Sequence, residues 1–127
     1  MTPRRDREFV SIHTDPGCPG VGTILLGRPP TNALTRQVYR ELTSAADEVA
    51  GRSDIAAVIL FGGHEIFCAG DDVPELRTLS AKEAGVGARV RHDAVSAVAA
   101  IPKPSFATDA VSGPSPFGFW IAMRRSW

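Results

Sequence analysis

An unbroken run of apolar residues at positions 56–61, Ala-Ala-Val-Ile-Leu-Phe, constrains the fold more than any other feature of the sequence. Its length is that of a strand, and the lack of alternating polar residues indicates that both faces of the strand are buried. Helices packed on the two faces of a parallel sheet provide such burial. The run therefore predicts an inner strand of an α/β protein.

The residues before this run predict a β-hairpin. Apolar and polar residues alternate from Phe9 to His13, which is typical of a strand, and Gly22–Leu26 is a second short strand candidate. The segment between them, Asp15–Gly20, is dense in turn-forming residues. The two strands are therefore expected to pair through a long turn.

Helical periodicity follows the hairpin and again follows the apolar run. Apolar residues recur at helical spacing over 35–50, with Thr35 placed to cap the N-terminus and Gly51 to cap the C-terminus. Two more helices are predicted at 76–84 and 88–100, with Gly85 and Gly87 loosening the join between them. A hairpin, a helix and a buried strand in this order predict α/β layering.

Charge and composition exclude several classes of function. The 127 residues hold 14 Lys+Arg and 14 Asp+Glu, so no excess charge attracts the chain to nucleic acid or to an anionic membrane. Arg4, Arg5 and Arg7 are interpreted as part of a solvated, disordered tail over residues 1–8. No apolar stretch reaches the length of a membrane span, and no secretory signal is recognised.

The cysteines and histidines predict neither a disulfide nor a metal site. Without a secretory signal, Cys18 and Cys68 are interpreted as reduced thiols of a cytoplasmic protein. The three histidines lack the spacing of metal ligands, so no metal is expected; they are His13, His64 and His92.

The stretch from Gly62 to Asp72 carries the strongest chemical signal. It follows a predicted buried strand and precedes a helix, and ligands of open α/β sheets bind beyond the carboxyl ends of strands. Gly70 permits close approach of the backbone, and the amides after it can donate to an anion or a carbonyl oxygen. The simpler interpretation is a glycine turn followed by an aspartate, Asp71 or Asp72, that caps the helix.

Four segments occur in a recognisable order at 26–34, 55–62, 66–76 and 101–104. They resemble the R-P-x-x-N-A-L segment, the V-I-L-x-G strand, the F-[CS]-A-G-x-D-[LIV]-x-E-[LM] signature and the I-P-K-P segment of the enoyl-CoA hydratase/isomerase (crotonase) superfamily. The mycobacterial-type short hydratases are particularly similar. The resemblance implies an α/β, crotonase-like (ββα-type) spiral core.

The resemblance also implies roles for individual residues. The backbone amide of Asp71 is expected to be the first oxyanion-hole donor to the thioester carbonyl of an acyl-CoA. Eight further residues are expected to contact CoA or the substrate: Arg28 close to the CoA phosphates, Pro30, Thr31 and Ala33 on the adenosine or pantetheine side, and Ala69, Gly70, Asp72 and Val73 along the pocket.

The resemblance weakens after Pro104. The family's glycine-rich turn, which supplies the second oxyanion amide, is not found in 105–127, and no Asp or Glu follows Asp109 to match the family's acid/base glutamates. The expected organisation is a truncated N-terminal part of the fold at 9–104 and a divergent tail at 105–127. The absence of later strands is expected to leave the apolar run partly uncovered.

The resemblance implies acyl-CoA binding and hydration of trans-2-enoyl-CoA in fatty acid beta-oxidation, with the CoA thioester as substrate and no cofactor. Members of the family form trimers or hexamers, but the trimer-forming C-terminal helices have no counterpart here. Two alternatives stay open. The chain could be a catalytically inactive fragment that at most binds CoA, or a module that pairs with an intact paralogue through an open sheet edge.

Overall fold

A computed structural model describes residues 7–29, 31–62, 68, 70–109 and 113–114 of the chain. Five strands and three helices occur within them. In chain order these are β1 (Val10–Thr14), β2 (Gly20–Leu26), α1 (Arg36–Gly51), β3 (Ile55–Phe61), α2 (Val73–Leu76), α3 (Ala81–Ala99), β4 (Ser105–Asp109) and β5 (Gly113–Pro114). The mixed α/β class predicted from the sequence is confirmed.

The strands form one sheet in the order β1-β2-β3-β4-β5. The outer pairs β1–β2 and β4–β5 are antiparallel, while β2, β3 and β4 run parallel to one another. Helices α1 and α3 make the two crossovers that parallel neighbours require. Strand β3 is therefore an inner strand, as the apolar run predicts.

The surroundings of β3 differ from the sequence-based prediction in two respects. The expectation that later strands are missing is wrong at this position, because β4 pairs with β3 from Val58–Ser105 to Phe61–Thr108. The expectation of burial on both faces holds for one face, where Ile55, Val58 and Leu60 are buried, whereas Ile59 and Phe61 are half-buried. The described helices therefore cover one side of the sheet more fully than the other.

Helix α1 supplies most of the helical part of the core. Its apolar residues recur on one face, and the buried ones include Val38, Leu42 and Val49. They pack in one cluster with Ile24, Leu60 and other residues of the sheet, together with Ala94 and Val98 of α3. The predicted N-cap is confirmed, since the Thr35 hydroxyl accepts from the Val38 amide, but Gly51 is the last helical residue and Arg52 is the C-cap.

The two helices predicted at 76–84 and 88–100 are wrong in their boundaries. Residues 73–76 form the short α2, and α3 runs without a break from Ala81 through Gly85 and Gly87 to Ala99. The strong start explains the difference, because Ser80 and Glu83 form a reciprocal capping box. An internal glycine costs about 1 kcal/mol relative to alanine, which this cap helps to offset.

The start of the described chain is attached to α1. Glu41, a buried carboxylate, accepts from the amides of Phe9 at 2.7 Å and Val10 at 3.1 Å. The guanidinium of Arg7 donates to Ser44 at 3.0 Å and to Glu48 at 2.9 Å, and its side chain is 5% exposed. The interpretation of Arg7 as part of a solvated tail is therefore corrected, while Arg4 and Arg5 lie outside the described residues.

Lys103, from the I-P-K-P segment, closes the other end of α1. Its Nζ donates to the carbonyl oxygens of Val49 at 2.6 Å and Arg52 at 2.5 Å, which satisfies groups that a helix end leaves without intrahelical partners. We expect Lys103→Met to lower the free energy of unfolding by about 1–2 kcal/mol, measured by urea denaturation. Lys82→Met, at an exposed position of α3, is the matched control; equal effects of the two changes would contradict the assignment.

Candidate functional site

Two loops meet at one edge of the sheet. Strands β2 and β3 are parallel, so the segments that follow them, 27–35 and 62–72, leave from the same edge. Asn32 joins these segments, because its buried side-chain amide donates to the Gly62 carbonyl and its Oδ1 accepts from the Arg28 amide at 2.8 Å. Asn32 also adopts a φ of 54°, a left-handed conformation in which asparagine is enriched.

A parallel bridge between Leu34 and Asp71 fixes the backbone after the glycine turn. The Leu34 amide donates to the Gly70 carbonyl at 2.8 Å, and the Asp72 amide donates to the Leu34 carbonyl at 2.9 Å. Because successive backbone groups of an extended chain face opposite sides, the Asp71 amide is directed away from Leu34. Gly70 has a φ of +86°, which glycine adopts without steric cost.

Asp72 has a structural role in this loop. It is the N-cap of α2, where Oδ1 accepts from the Glu75 amide at 2.9 Å, and its Oδ2 accepts from the Arg28 guanidinium at 2.9 Å. The Glu75 amide, followed by Arg28, lowers the pKa of the Asp72 carboxyl. The simpler interpretation of an aspartate that caps the helix therefore holds for Asp72.

The contacts of Arg28 also stabilise the loop. Its guanidinium donates to the Ala33 carbonyl at 3.0 Å and to Asp72, and lies 5.7 Å from the centroid of the Phe9 ring. The side chain is 30% exposed. The structure thus gives the positive charge of Arg28 a partner within the protein, and a contact with CoA phosphates stays a prediction.

Acid should weaken the attachment of α2 through Asp72. Its pKa is lower in the folded than in the unfolded chain, so this contribution to stability is present above about pH 4 and is lost as the pH falls through the folded pKa. We expect Asp72→Asn to reduce the loss of unfolding free energy between about pH 6 and about pH 3, measured by urea denaturation. Asp93→Asn, at an exposed position of α3, is the control, and an equal reduction in both variants would contradict this role.

Glu75 connects α2 to the start of α1. Its Oε1 accepts from the Arg36 amide at 2.9 Å and lies 3.5 Å from the Arg36 Nε. A carboxylate at a helix N-terminus is stabilised by the amides and the dipole there. Two acidic residues of the signature segment therefore have structural roles: Asp72 caps α2, and Glu75 binds the first amide of α1.

The side chain of Asp71 is held by two helices. The Tyr39 hydroxyl of α1 donates to Oδ1, and Nη1 of Arg91 in α3 donates to Oδ2 at 2.6 Å. The Asp71 side chain is 24% exposed and that of Arg91 is 50% exposed. Burial, followed by the hydrogen bond to Asp71, raises the pKa of the Tyr39 phenol. The phenol therefore keeps its proton at neutral pH and remains a hydrogen-bond donor.

A small cavity lies beside this cluster. Its volume is about 90 Å³, and its wall combines the polar groups of Tyr39, Asp71 and Arg91 with apolar surface from Leu34 and Leu76. Cys68 is half-buried nearby, and burial raises the pKa of its thiol. Among the residues that the structure describes, no group of His, Cys, Asp and Glu side chains is arranged to hold a metal ion.

The structure brings most of the predicted site residues to this edge of the sheet. Gly70, Asp71 and Asp72 form the loop, Ala33 lies beside the bridge at Leu34, and Val73 is an exposed first residue of α2. Thr31 lies in the turn before Asn32, whereas Pro30 and Ala69 lie outside the described residues. The roles assigned to these residues in binding stay predictions.

Sequence reasoning missed the residues that organise the loop: Asn32, Tyr39, Glu75 and Arg91. Asn32 and Glu75 stand inside the recognised segments, and the spacing of Asp72 to Glu75 was a usable sign of an N-cap. Tyr39 and Arg91 lie in helices that read as ordinary amphipathic segments. Their contacts with Asp71 span 32 and 20 residues, so no local pattern reveals them.

A parallel inner sheet carries at its carboxyl edge a glycine turn that is bridged to the preceding loop, and these features define an α/β protein. Its superposition on solved structures shows that the fold is that of the crotonases. The chain belongs to the enoyl-CoA hydratase/isomerase family, since a model of that family matches residues 18–120. None of the helices in the described part of the chain is long and apolar enough to cross a lipid bilayer.

Relatives and solved structures agree with this family. EchA17 of Mycobacterium tuberculosis, a probable enoyl-CoA hydratase, is 56% identical over 123 residues, which cover 94% of this chain and 46% of EchA17. The chain therefore spans somewhat under half the length of this curated relative.

Two solved structures share the fold. An enoyl-CoA hydratase/carnithine racemase from Magnetospirillum magneticum superposes with a TM-score of 0.72 at 29% identity, over 79% of this chain and 38% of that one. DspI of Pseudomonas aeruginosa gives a TM-score of 0.75 at 20% identity, over 84% and 43% of the two chains. The second likeness bears on the fold alone.

Proposed function

We propose that this chain binds the thioester end of an acyl-CoA at the loop after β3, and that the Asp71 amide donates to the thioester carbonyl oxygen. The reaction that this arrangement serves is hydration of trans-2-enoyl-CoA in fatty acid beta-oxidation. The hydroxyl of water adds to C3, negative charge collects on the thioester oxygen, and a proton then adds to C2 to give the 3-hydroxyacyl-CoA. A donor at that oxygen lowers the barrier because the charge there grows as the bond forms.

The direction of the Asp71 amide carries this proposal. The bridge uses the Gly70 carbonyl and the Asp72 amide on one side, which leaves the Asp71 amide facing the other. Its backbone is held by Leu34 and its side chain by two helices, so the donor is positioned before a ligand arrives. Preorganised donors of this kind are effective because they need no reorganisation during the reaction.

The preceding loop supports the CoA side of the proposal. Asn32, Leu34 and the ion pair of Arg28 with Asp72 attach the loop after β2 to the segment after β3. Thr31 and Ala33 belong to this loop, on either side of Asn32. We therefore propose that these two residues contact the pantetheine or adenosine part of CoA, as the family resemblance implies.

A second candidate function is CoA binding without turnover, alone or in a pair with a paralogue. Hydration requires a base to take a proton from water, and a positioned base typically contributes about 100- to 10,000-fold. The described carboxylates nearest the loop are already engaged: Asp71 by Tyr39 and Arg91, Asp72 as a cap, and Glu75 by the start of α1. This observation favours binding over chemistry for the described residues.

Crotonyl-CoA distinguishes the two candidates. Hydration is followed by loss of the enoyl absorbance, and binding is followed by the shift in thermal unfolding that crotonyl-CoA or CoA produces. Turnover above the rate in buffer supports the hydratase, while stabilisation without turnover supports the binding function. If crotonyl-CoA is not hydrated and neither it nor CoA stabilises the chain, both candidate functions are contradicted.

A further inference from the structure

The carboxylate of Asp71 stands next to the proposed oxyanion site and carries the wrong charge for it. The side chain and the amide belong to one residue, so a negative carboxylate lies close to any oxygen that accepts from that amide. Like charges a few ångströms apart in a partly desolvated site oppose each other. An uncompensated carboxylate here would weaken the stabilisation of an enolate.

Two partners compensate this charge. Arg91 places its guanidinium 2.6 Å from Oδ2, which brings a full positive charge to the carboxylate, and the Tyr39 hydroxyl donates to Oδ1. Both oxygens of Asp71 are thereby occupied by donors from outside the loop. Tyr39 is 7% exposed and so provides a firm attachment to the core.

The same contacts restrain the backbone of the loop. The bridge to Leu34 holds Gly70 and Asp72, but Gly70 has no side chain to limit rotation about its own bonds. The side chain of Asp71 supplies a further attachment, at a different angle, to α1 and α3. The direction of the Asp71 amide therefore depends on both helices.

We propose that Tyr39 and Arg91 are positioning residues: they clamp the Asp71 carboxylate, fix the direction of its amide and cancel its charge beside the thioester oxygen. This inference rests on the proposed function, because it assumes that the Asp71 amide meets that oxygen. Arg91 comes from the exposed side of α3, so the position of that helix is coupled to the strength of the oxyanion donor. A direct contact of Arg91 with a ligand is the alternative that the experiment must exclude.

Acetoacetyl-CoA is a suitable probe, because it loses a C2 proton to solvent and forms an enolate that absorbs in the ultraviolet and whose charge lies partly on the thioester oxygen. The apparent pKa of the bound probe, from the enolate absorbance as a function of pH, reports how well the full chain stabilises that charge. Tyr39 and Arg91 donate to Asp71, the Cys68 thiol interacts electrostatically with the same carboxylate, and Arg36 and Glu75 line the same cavity. Comparing variants in pairs keeps these surroundings constant.

We expect the wild-type chain to lower the apparent pKa of the probe. Arg91→Gln should weaken enolate stabilisation about tenfold, and Tyr39→Phe should weaken it by a smaller factor. Asp71→Asn removes the charge and keeps the backbone amide. Adding Arg91→Gln to that variant should therefore change the ionisation constant of the bound probe by less than about twofold. Arg89→Gln, an exposed arginine on the same helix, is the matched control.

The outcomes distinguish failure of the proposed function from failure of this inference. A wild-type chain that leaves the pKa of the probe unchanged overturns the proposed function and this inference together. If the wild-type chain lowers the pKa of the probe and Arg91→Gln changes that pKa no more than Arg89→Gln does, the inference alone is overturned. An equal effect of Arg91→Gln with aspartate and with asparagine at position 71 shows that Arg91 acts directly on the ligand, which also overturns it. The thermal unfolding of every variant is measured to establish that it folds. If Arg91→Gln alone does not fold, Tyr39→Phe and the double variant Asp71→Asn with Arg91→Gln test the contacts of Tyr39 and Arg91 with Asp71.

Discussion

Asp71→Pro should remove most of the ability of the loop to stabilise an enolate. Proline has no backbone amide, and loss of one oxyanion donor costs about 3 kcal/mol, or roughly 100-fold, in characterised enzymes. The bridge to Leu34 should survive, because it uses the Gly70 carbonyl and the Asp72 amide rather than the amide of residue 71. The measurement is the enolate absorbance of bound acetoacetyl-CoA.

Asp71→Ala is the matched control for that change. Alanine also lacks the carboxylate but keeps the amide, so the difference between the two variants isolates the amide hydrogen bond. We expect the alanine variant to retain most of the enolate signal that the proline variant loses. Equal losses in both would show that the side chain, and not the amide, carries the effect.

Asn32→Ala should have the largest effect on stability among changes in the two loops. It leaves the Gly62 carbonyl and the Arg28 amide without their partner and places an alanine at a φ of 54°. Buried groups left unsatisfied cost about 1–3 kcal/mol each, and the left-handed conformation adds roughly 1 kcal/mol for alanine. We expect a loss of about 3 kcal/mol in the free energy of unfolding, measured by urea denaturation.

Asn32→Gly separates these two causes. Glycine tolerates the left-handed conformation but makes no side-chain hydrogen bonds, so the difference between the glycine and alanine variants measures the backbone contribution. A glycine variant as stable as the wild type would mean that the hydrogen bonds to Gly62 and Arg28 contribute nothing. The same pair of variants should weaken the binding of CoA thioesters, because Asn32 joins the two loops.

Local patterns account for what the sequence predicts correctly. The hairpin, the helix capped by Thr35 and the inner strand at 55–61 all follow from periodicity and turn chemistry within a few residues. The recognised segments then fix the family, which the match over 18–120 confirms. The helix at 81–99 differs from the two predicted helices because Gly85 and Gly87 weaken a helix in isolation, whereas the capping box at Ser80 stabilises its start upstream of the glycines.

The connections within the site could not be predicted in the same way. Asp71 meets Tyr39 and Arg91 only because α1 and α3 pack beside each other over the sheet, a consequence of the whole topology. The family resemblance points to the Asp71 amide and says nothing of a carboxylate at this position. The side chain therefore had to be understood from its contacts.

The two ends of α1 are closed by residues that come much later in the chain. Glu75 reaches back 39 residues to the amide of Arg36, and Lys103 reaches back 54 residues to the carbonyl of Val49. During synthesis the contacts of Lys103 therefore form only after residue 103 has emerged from the ribosome, and until then the C-terminal end of the helix has only its local cap at Arg52. Such late, long-range contacts couple the formation of the helix to that of the sheet and of the two loops at its edge.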